Sequence, residues 1–345
     1  MPFTAQELAN VANAALDFFV KGDAWSQVIQ ERPLFRELKS KQKTFPGGKD
    51  NISLPVKGVY TTAIQGFSHD DRVSYSNPAN IKRAVFPWKE IHAGIQVTLT
   101  ELKKDGISVV DSMNGKQTAE HSDREMTALT NILDDKLEDM AEGWARTFQT
   151  MLWQDGTQDA KQVAGVQSII TEAPTTGITG GIDRAANSFW RNRASLAINT
   201  ATPANQNLVT TLQREMRQLR RFRGKPSFFP CGSDFLDAFE QELRSKGNYT
   251  LEGWAKTGRI DASVADLSFK GVNLEYEPTL DDLGKSKYGY LIDTRRLNLW
   301  VMDGEDDKQH TPARPADQYV IYRAMTWTGG MCANQLNCHG VYSIL

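Results

Sequence analysis

Cysteine is scarce in this chain. Three occur in 345 residues, Cys231, Cys332 and Cys338. So small and odd a number excludes a disulfide framework and fits a reducing compartment. Histidine is sparse too, with five scattered residues, and no serine or cysteine stands beside an evident base. Nucleophilic catalysis therefore has no positive support. Long apolar runs are missing: nothing approaches the roughly 20 residues that span a bilayer. The first residues lack a basic leading region, and Asn13 and Asp17 break their apolar run, which excludes a secretory signal. A surplus of one charge is missing as well. Forty Lys and Arg against 42 Asp and Glu leave a net charge of −2, so the chain as a whole is not a polycation built to neutralise nucleic acid. There are no internal repeats and no low-complexity linker. These absences together describe a soluble intracellular protein.

What is present is ordinary globular composition, 40% hydrophobic and 24% charged, enough for one large or two intimate domains. Residues 4–20 place Leu8, Val11, Ala15, Phe18 and Phe19 near helical spacing. Pro33 and Pro46-Gly47-Gly48 interrupt the next thirty or so residues, so residues 1–50 read as an arm with little core of its own. Residues 51–66 and 79–100 read as the strands of a long hairpin, joined through the polar turn GFSHDDRVSYSNP. An isolated two-stranded hairpin is marginal in water, so this one needs a surface to lie on.

Residues 122–154 carry the clearest helix. Ser122 and Glu125 form a capping box. Met126, Leu129, Leu133, Leu137, Met140, Trp144, Phe148 and Met151 come next at steps of 3, 4, 4, 3, 4, 4 and 3. That 11-residue rhythm suits a straight helix, about 48 Å long, packed on one side. Asp155-Gly156 ends it. Trp144 and Phe148 are the expected core anchors on this helix. Helices over 206–222 and 233–246 come after it, the second capped by Ser233 or Asp234 and turning Phe235, Leu236, Phe239 and Leu243 inward. Short strands are expected near 271–277, 288–293, 297–302 and 318–327, with 331–345 as a last extended segment.

Candidate sites of familiar kinds are thin. Cys332, Cys338 and His339 lie close together, with His310 upstream, but a zinc site needs about four ligands at regular spacing. Gly177, Gly180 and Gly181 precede Asp183-Arg184 with no Lys-Ser or Lys-Thr, so this is no phosphate loop. Asp303-Gly-Glu-Asp-Asp307 lacks the alternating ligands of a calcium loop. No metal or cofactor is expected. Arg214, Arg217 and Arg221 share one helical face and are candidates for touching DNA phosphates.

The stretch Gly165–Arg193, GVQSIITEAPTTGITGGIDRAANSFWRNR, is the most distinctive. It is rich in Gly, Thr and Pro and closes on Phe189-Trp190-Arg191-Asn192-Arg193, residue types that anchor interfaces. It resembles a segment of tailed-phage major capsid proteins of the Hong Kong 97-type fold, where Gly-Gly-Ile-Asp-Arg leads to Trp-Arg-Asn. The hairpin followed by the long helix, and the ending TGGMCANQLNCHGVYSIL, resemble the same family.

The resemblance implies an α+β fold in four parts. These are an N-terminal arm (1–50), an extended hairpin loop (51–100), a peripheral domain on the spine helix (101–157 with 318–345) and an axial domain (158–317). It implies a structural protein of the virion and no enzyme. Copies of the chain would assemble in the host cytoplasm into pentamers and hexamers of an icosahedral head around double-stranded DNA. Portal, scaffolding or decoration proteins would be further partners, and no membrane is involved. Expected subunit contacts are Phe67, Asp70, Asp71, Arg72 and Tyr75 at the hairpin tip, with Arg184, Arg191 and Arg193; Trp190 is expected to anchor its loop in the core. Some relatives crosslink subunits through Lys and Asn; Lys57 and Lys82 lie in the hairpin, and no crosslink is expected here. The alternative reading is a soluble mixed α/β enzyme, carbohydrate-directed, suggested by eight Trp and many carboxylates.

Overall fold

A computed structural model of the chain describes residues 3–4, 32–59, 64–73, 75, 81–104, 109–110, 123–200, 206–245, 267–310, 312 and 320–345. Nearly all of the helix expected over 4–20 lies outside them, as do Ser122 and the side chains of Met126, Leu129 and Leu133.

Among the described residues the strands form two main sheets. The first holds β2 (Lys43–Phe45), β5 (Lys89–Thr98), β14 (Leu297–Met302), β15 (Lys308–His310) and β16 (Val320–Ala333). Long β16 is its axis, pairing with β5 along one side and with β15 and β14 along the other. The second runs β11 (Ser268–Phe269), β12 (Val272–Tyr276), β10 (Phe229–Cys231), β13 (Tyr288–Leu291), β17 (Gly340–Ile344) and β9 (Arg193–Ile198). A separate hairpin joins β3 (Asn51–Lys57) to β4 (Ile81–Pro87). Two small pairs complete the set: β1 (Phe3–Thr4) with β6 (Val109–Val110), and β7 (Ile178–Thr179) with β8 (Ile182–Asp183).

The helices are α1 (Pro33–Ser40), α2 (Leu99–Lys104), α3 (Asp123–Trp153), α4 (Val166–Ile169), α5 (Leu208–Arg221), α6 (Ser233–Ser245) and α7 (Pro278–Asp282). The spine helix α3 buries Leu137, Ala141, Trp144, Ala145, Phe148, Leu152 and Trp153, while Met140 and Met151 are half-buried. The buried arc is wider than the single stripe read from sequence because α3 meets three neighbours. The Phe148 ring lies 4.9 Å from Trp327 of β16 and 5.3 Å from Phe35 of α1. Trp153 lies 5.1 Å from Tyr290 in the second sheet.

Residues 33–45 are not a free arm. Leu34, Phe35 and Leu38 are buried, and β2 pairs with β14. Helix α1 starts on Pro33, which has no N–H to satisfy. The next two N–H groups reach distant acceptors: Leu34 donates to Glu277 Oε2 at 3.3 Å and Phe35 to Gln149 Oε1 at 2.9 Å. Burial holds the Glu277 carboxyl above the usual carboxylate range.

The strand expected over 79–100 is two strands. At Trp88, whose indole N–H donates to the Lys49 carbonyl at 2.8 Å, the chain leaves the hairpin and joins the first sheet. Residues 99–104 are helical. The expected extended segment 331–345 is also divided: it finishes β16, turns over 334–339, and enters the second sheet as β17. Ser233 and Asp234 both lie inside α6; the Ser233 N–H donates to Asp281 Oδ1 at 3.0 Å, and Asp234 accepts from Ser286 Oγ instead of capping.

The second sheet is covered on both faces, with a period of two. Tyr290 and Val341 face the core under α3; Leu291, Tyr342 and Ile344 face a second core under α5 and α6. His339 is buried at the entry to β17, where its Nδ1 accepts from the Asp293 N–H at 3.2 Å. Burial pushes it down to about 4, against the pull of the Asp293 carboxylate. A depressed histidine contributes stability that is full above its ordinary value of about 6.5 and lost as pH falls towards the folded value. Over that window the parent should lose about 3 kcal/mol through this group. His339→Asn should flatten the difference between urea unfolding at about pH 7 and about pH 4.5; an unchanged difference would place the acid sensitivity elsewhere.

Candidate functional site

The glycine-rich segment is built around one guanidinium. Arg184 is 0% exposed. Its Nε donates to Thr179 Oγ1 at 2.9 Å, Nη1 to Thr171 Oγ1 at 2.6 Å and Asn192 Oδ1 at 2.7 Å, and Nη2 to the Ile169 carbonyl at 2.5 Å. All the acceptors are neutral. Burial without a counter-ion pushes the guanidinium down to about 10. Asn192 also donates to the Thr171 and Arg193 carbonyls, closing the knot.

Trp190 ends a short 3₁₀ turn (Ser188–Trp190), is buried, and donates from its indole to the Thr179 carbonyl at 2.9 Å. Gly165 lets the segment press on the end of α3: a Cβ there would lie 2.2 Å from the Leu152 carbonyl oxygen. The turn between β7 and β8 uses Gly180 and Gly181 at positive φ, and the Gly180 carbonyl accepts from the Val85 N–H at 2.9 Å.

That last bond shows what the segment does. It brackets the base of the hairpin. Lys82 Nζ donates to Asn187 Oδ1 at 2.5 Å, and the Phe189 ring fills the space beside Gly58. Ile52, Val56, Ala84 and Phe86 are buried in the main core. Beyond the bracket the apolar side chains are in the open: Val59, Ile64, Phe67 (64% exposed), Val73, Tyr75 (93%) and Ile81. Asp70, Asp71 and Arg72 are exposed at the tip, where Asp71 and Ser68 exchange backbone and side-chain hydrogen bonds at 2.8 and 2.9 Å.

The three arginines expected at subunit contacts behave differently. Arg184 cannot be one, since its own loop encloses it. Arg191 donates to the Arg184 and Ala185 carbonyls at 2.6 and 2.7 Å, so it staples its loop and meets no acid there. Arg191→Glu would disturb folding as well as any surface. Arg193 grips Glu215 of α5 through two bonds at 2.7 and 3.0 Å, an acid of its own subunit. Trp144 and Phe148 are buried as described, and Arg214, Arg217 and Arg221 are exposed on α5.

Glu215, Glu242 and Glu277 are buried carboxyls that sequence reasoning passed over. Glu242 accepts from the Leu208 and Val209 N–H groups at the start of α5. A signal existed for Glu215: it falls on the apolar face with Leu212, Met216 and Leu219, where a carboxylate needs a cation. Among the described residues there is no His/Cys/Asp/Glu group fit for a metal, and the three cysteines are free and buried. No helix among them is long and apolar enough to cross a membrane.

Replacing Arg184 by Met takes the guanidinium from Thr171, Thr179 and the Ile169 carbonyl, while Asn192 Oδ1 keeps the Thr171 N–H at 3.2 Å. At about 1–3 kcal/mol per buried unsatisfied group, a loss of at least about 3 kcal/mol is expected. Arg184→Lys should recover little, since one ammonium cannot span the fork. Denaturant unfolding decides it; a loss under about 1 kcal/mol would mean that the knot is dispensable.

No family model and no curated protein matches the chain. Solved structures do. The cyanophage A-1(L) capsid asymmetric unit aligns with a TM-score of 0.63 at 13% identity, over 91% of this chain and 92% of that one. A chain of the native GTA particle capsid, computed with C5 symmetry, gives 0.54 at 10% identity over 89% of each chain. Mycobacterium phage Bobi gives 0.54 at 10% identity over 90% of each. At such identities the likeness is one of fold. The chain has the α+β fold of these phage capsid structures, the Hong Kong 97-type fold expected from its sequence.

Proposed function

We propose that the protein is the major capsid subunit of a tailed-phage head, a structural protein without enzymatic activity. The observation that carries this reading is the fold shared with a cyanophage capsid over nine tenths of both chains. The hairpin supports it: bracketed at its base, it holds apolar side chains in the open, as a part that seats on another copy would. In this proposal Phe67, Asp70, Asp71, Arg72 and Tyr75 touch the adjacent subunit. Head-to-tail contacts of one kind close into pentamers and hexamers, which build an icosahedral shell around double-stranded DNA. Many modest contacts give such a shell its total stability. Assembly takes place in the host cytoplasm, and portal, scaffolding or decoration proteins are partners.

The domain division belongs to the same proposal. The arm (1–50), extended loop (51–100), peripheral domain (101–157 with 318–345) and axial domain (158–317) are the proposed division, with exchanges that strand pairing favours. Strands β2, β5, β14 and β15 sit with β16 in the peripheral sheet, and β17 sits in the axial one. Electron microscopy of the purified chain is the test. Closed shells of uniform diameter are expected, and a monodisperse small oligomer at all concentrations would overturn the reading.

A further inference from the structure

The described surface matches many of its cations to carboxylates. Arg32 pairs with Glu142, Arg36 with Glu275, Lys285 with Glu172 and Arg295 with Asp293. The outer face of α5 departs from that habit. Arg214, Arg217 and Arg221 succeed one another at steps of three and four, so they line one side of the helix, and all are exposed. Arg220, Arg223 and Lys225 are exposed at its C-terminal end and just beyond. Lys270 joins them, since Arg220 donates to its carbonyl at 3.4 Å. Among the described residues only Arg214 of these cations has a carboxylate within reach. That is Glu215 at 3.5 Å, which Arg193 already holds with two bonds. In a chain of net charge −2, this is a local field and no reflection of composition.

The turn after α5 is held rigidly. Arg223 has φ 63°, a left-handed conformation that usually falls to glycine, and its N–H donates to the Arg220 carbonyl. A Cβ on Gly224 would meet the Leu219 carbonyl oxygen at 2.5 Å and Cys338 at 2.6 Å. The Phe222 carbonyl accepts from Gln335, and the Lys225 N–H donates to Asp293 Oδ2 at 2.8 Å. The basic side chains thus leave a fixed backbone.

We propose that this face docks the phosphate backbone of duplex DNA, without regard to sequence. Arg214 to Arg221 covers about 10 Å of helix, about three phosphates of one strand at 3.4 Å each. A single strand would ask for stacking platforms. The exposed ring here, Phe222, already carries the Arg221 guanidinium 5.5 Å from its centroid. The inference rests on the capsid reading only in naming DNA as the polyanion at hand.

The test uses the full chain, taken as the subunit fraction after size exclusion, and a short labelled duplex of mixed sequence. Binding is monitored by fluorescence anisotropy between about 50 and 200 mM salt. Three proteins are compared: the parent, the triple variant Arg214→Gln, Arg217→Gln, Arg221→Gln, and a control triple variant Lys49→Gln, Lys104→Gln, Lys161→Gln. The control removes equal charge from exposed sites away from α5. The α5 variant should melt as the parent does and lose about 2.7 from the slope of log K against log salt, at 0.9 per phosphate contact. The control should keep the parent's slope. No duplex binding by the parent, an unchanged slope in the α5 variant, or equal losses in both variants would overturn the proposal. So would tighter binding of polyglutamate than of duplex, which would point to an acidic protein. Imaging the same preparations keeps the two readings apart. Duplex binding without shells sinks the capsid reading alone, and shells without duplex binding sink this one alone.

Discussion

Deleting residues 67–77 should give a subunit that melts where the parent melts and builds no shells. The two halves of that result come from different parts of the hairpin. Its base is core: Ile52, Val56, Ala84 and Phe86 are buried, and the Gly180 and Asn187 contacts hold it to its own subunit. The described tip residues bury nothing, so their removal creates no cavity and strands no polar group. Phe67 and Tyr75, by contrast, are exposed, and in the proposed function they are what the tip offers to a neighbour. An interface lost once per subunit is lost at every copy of a shell, so a modest local effect becomes all-or-none in assembly. Calorimetry of the subunit and particle counts by electron microscopy read the halves separately. Normal particles from the deletion would sink the interface assigned to the tip.

Phe148→Ala should cost about 3–5 kcal/mol. The ring touches Phe35, Trp144 and Trp327, which belong to α1, α3 and β16. Removing it opens a cavity at a point where three elements meet, and none can close it without leaving the others. Met151→Leu, at a half-buried position of the same helix, should cost under about 1.5 kcal/mol. Urea unfolding of both variants checks the contrast. Similar losses for the two would mean that the ring is not a junction.

The spine helix, α5, α6 and the hairpin were legible because each announces itself locally, by the spacing of apolar residues or by turn chemistry. What was hidden depends on partners far along the chain. The run Ile81–Thr98 looks like one strand, yet its second half owes its place to β16, more than 200 residues later. Helix α1 is short, and its burial depends on Glu277 and Gln149. Arg184 shows the limit most clearly. Beside Trp190 and Arg191 it looked like an interface residue; no spacing rule says that two threonines, an asparagine and a carbonyl will converge on it. Glu215 was the readable exception, a carboxylate inside an apolar stripe.

Strands β16 and β17 are separated by one turn and lie in different sheets. Strand β16 is the axis of one sheet, and β17 holds β9 to β13 in the other. Neither sheet can close until residues 320–344 have left the ribosome. Contacts between so distant parts of a chain form slowly, and a growing chain exposes its unfinished cores meanwhile. In the proposed assembly the arrangement would act as a timer for the surfaces borne by the two sheets, which come into being only after both are whole, whereas the hairpin, a sheet of its own, is not held back in this way.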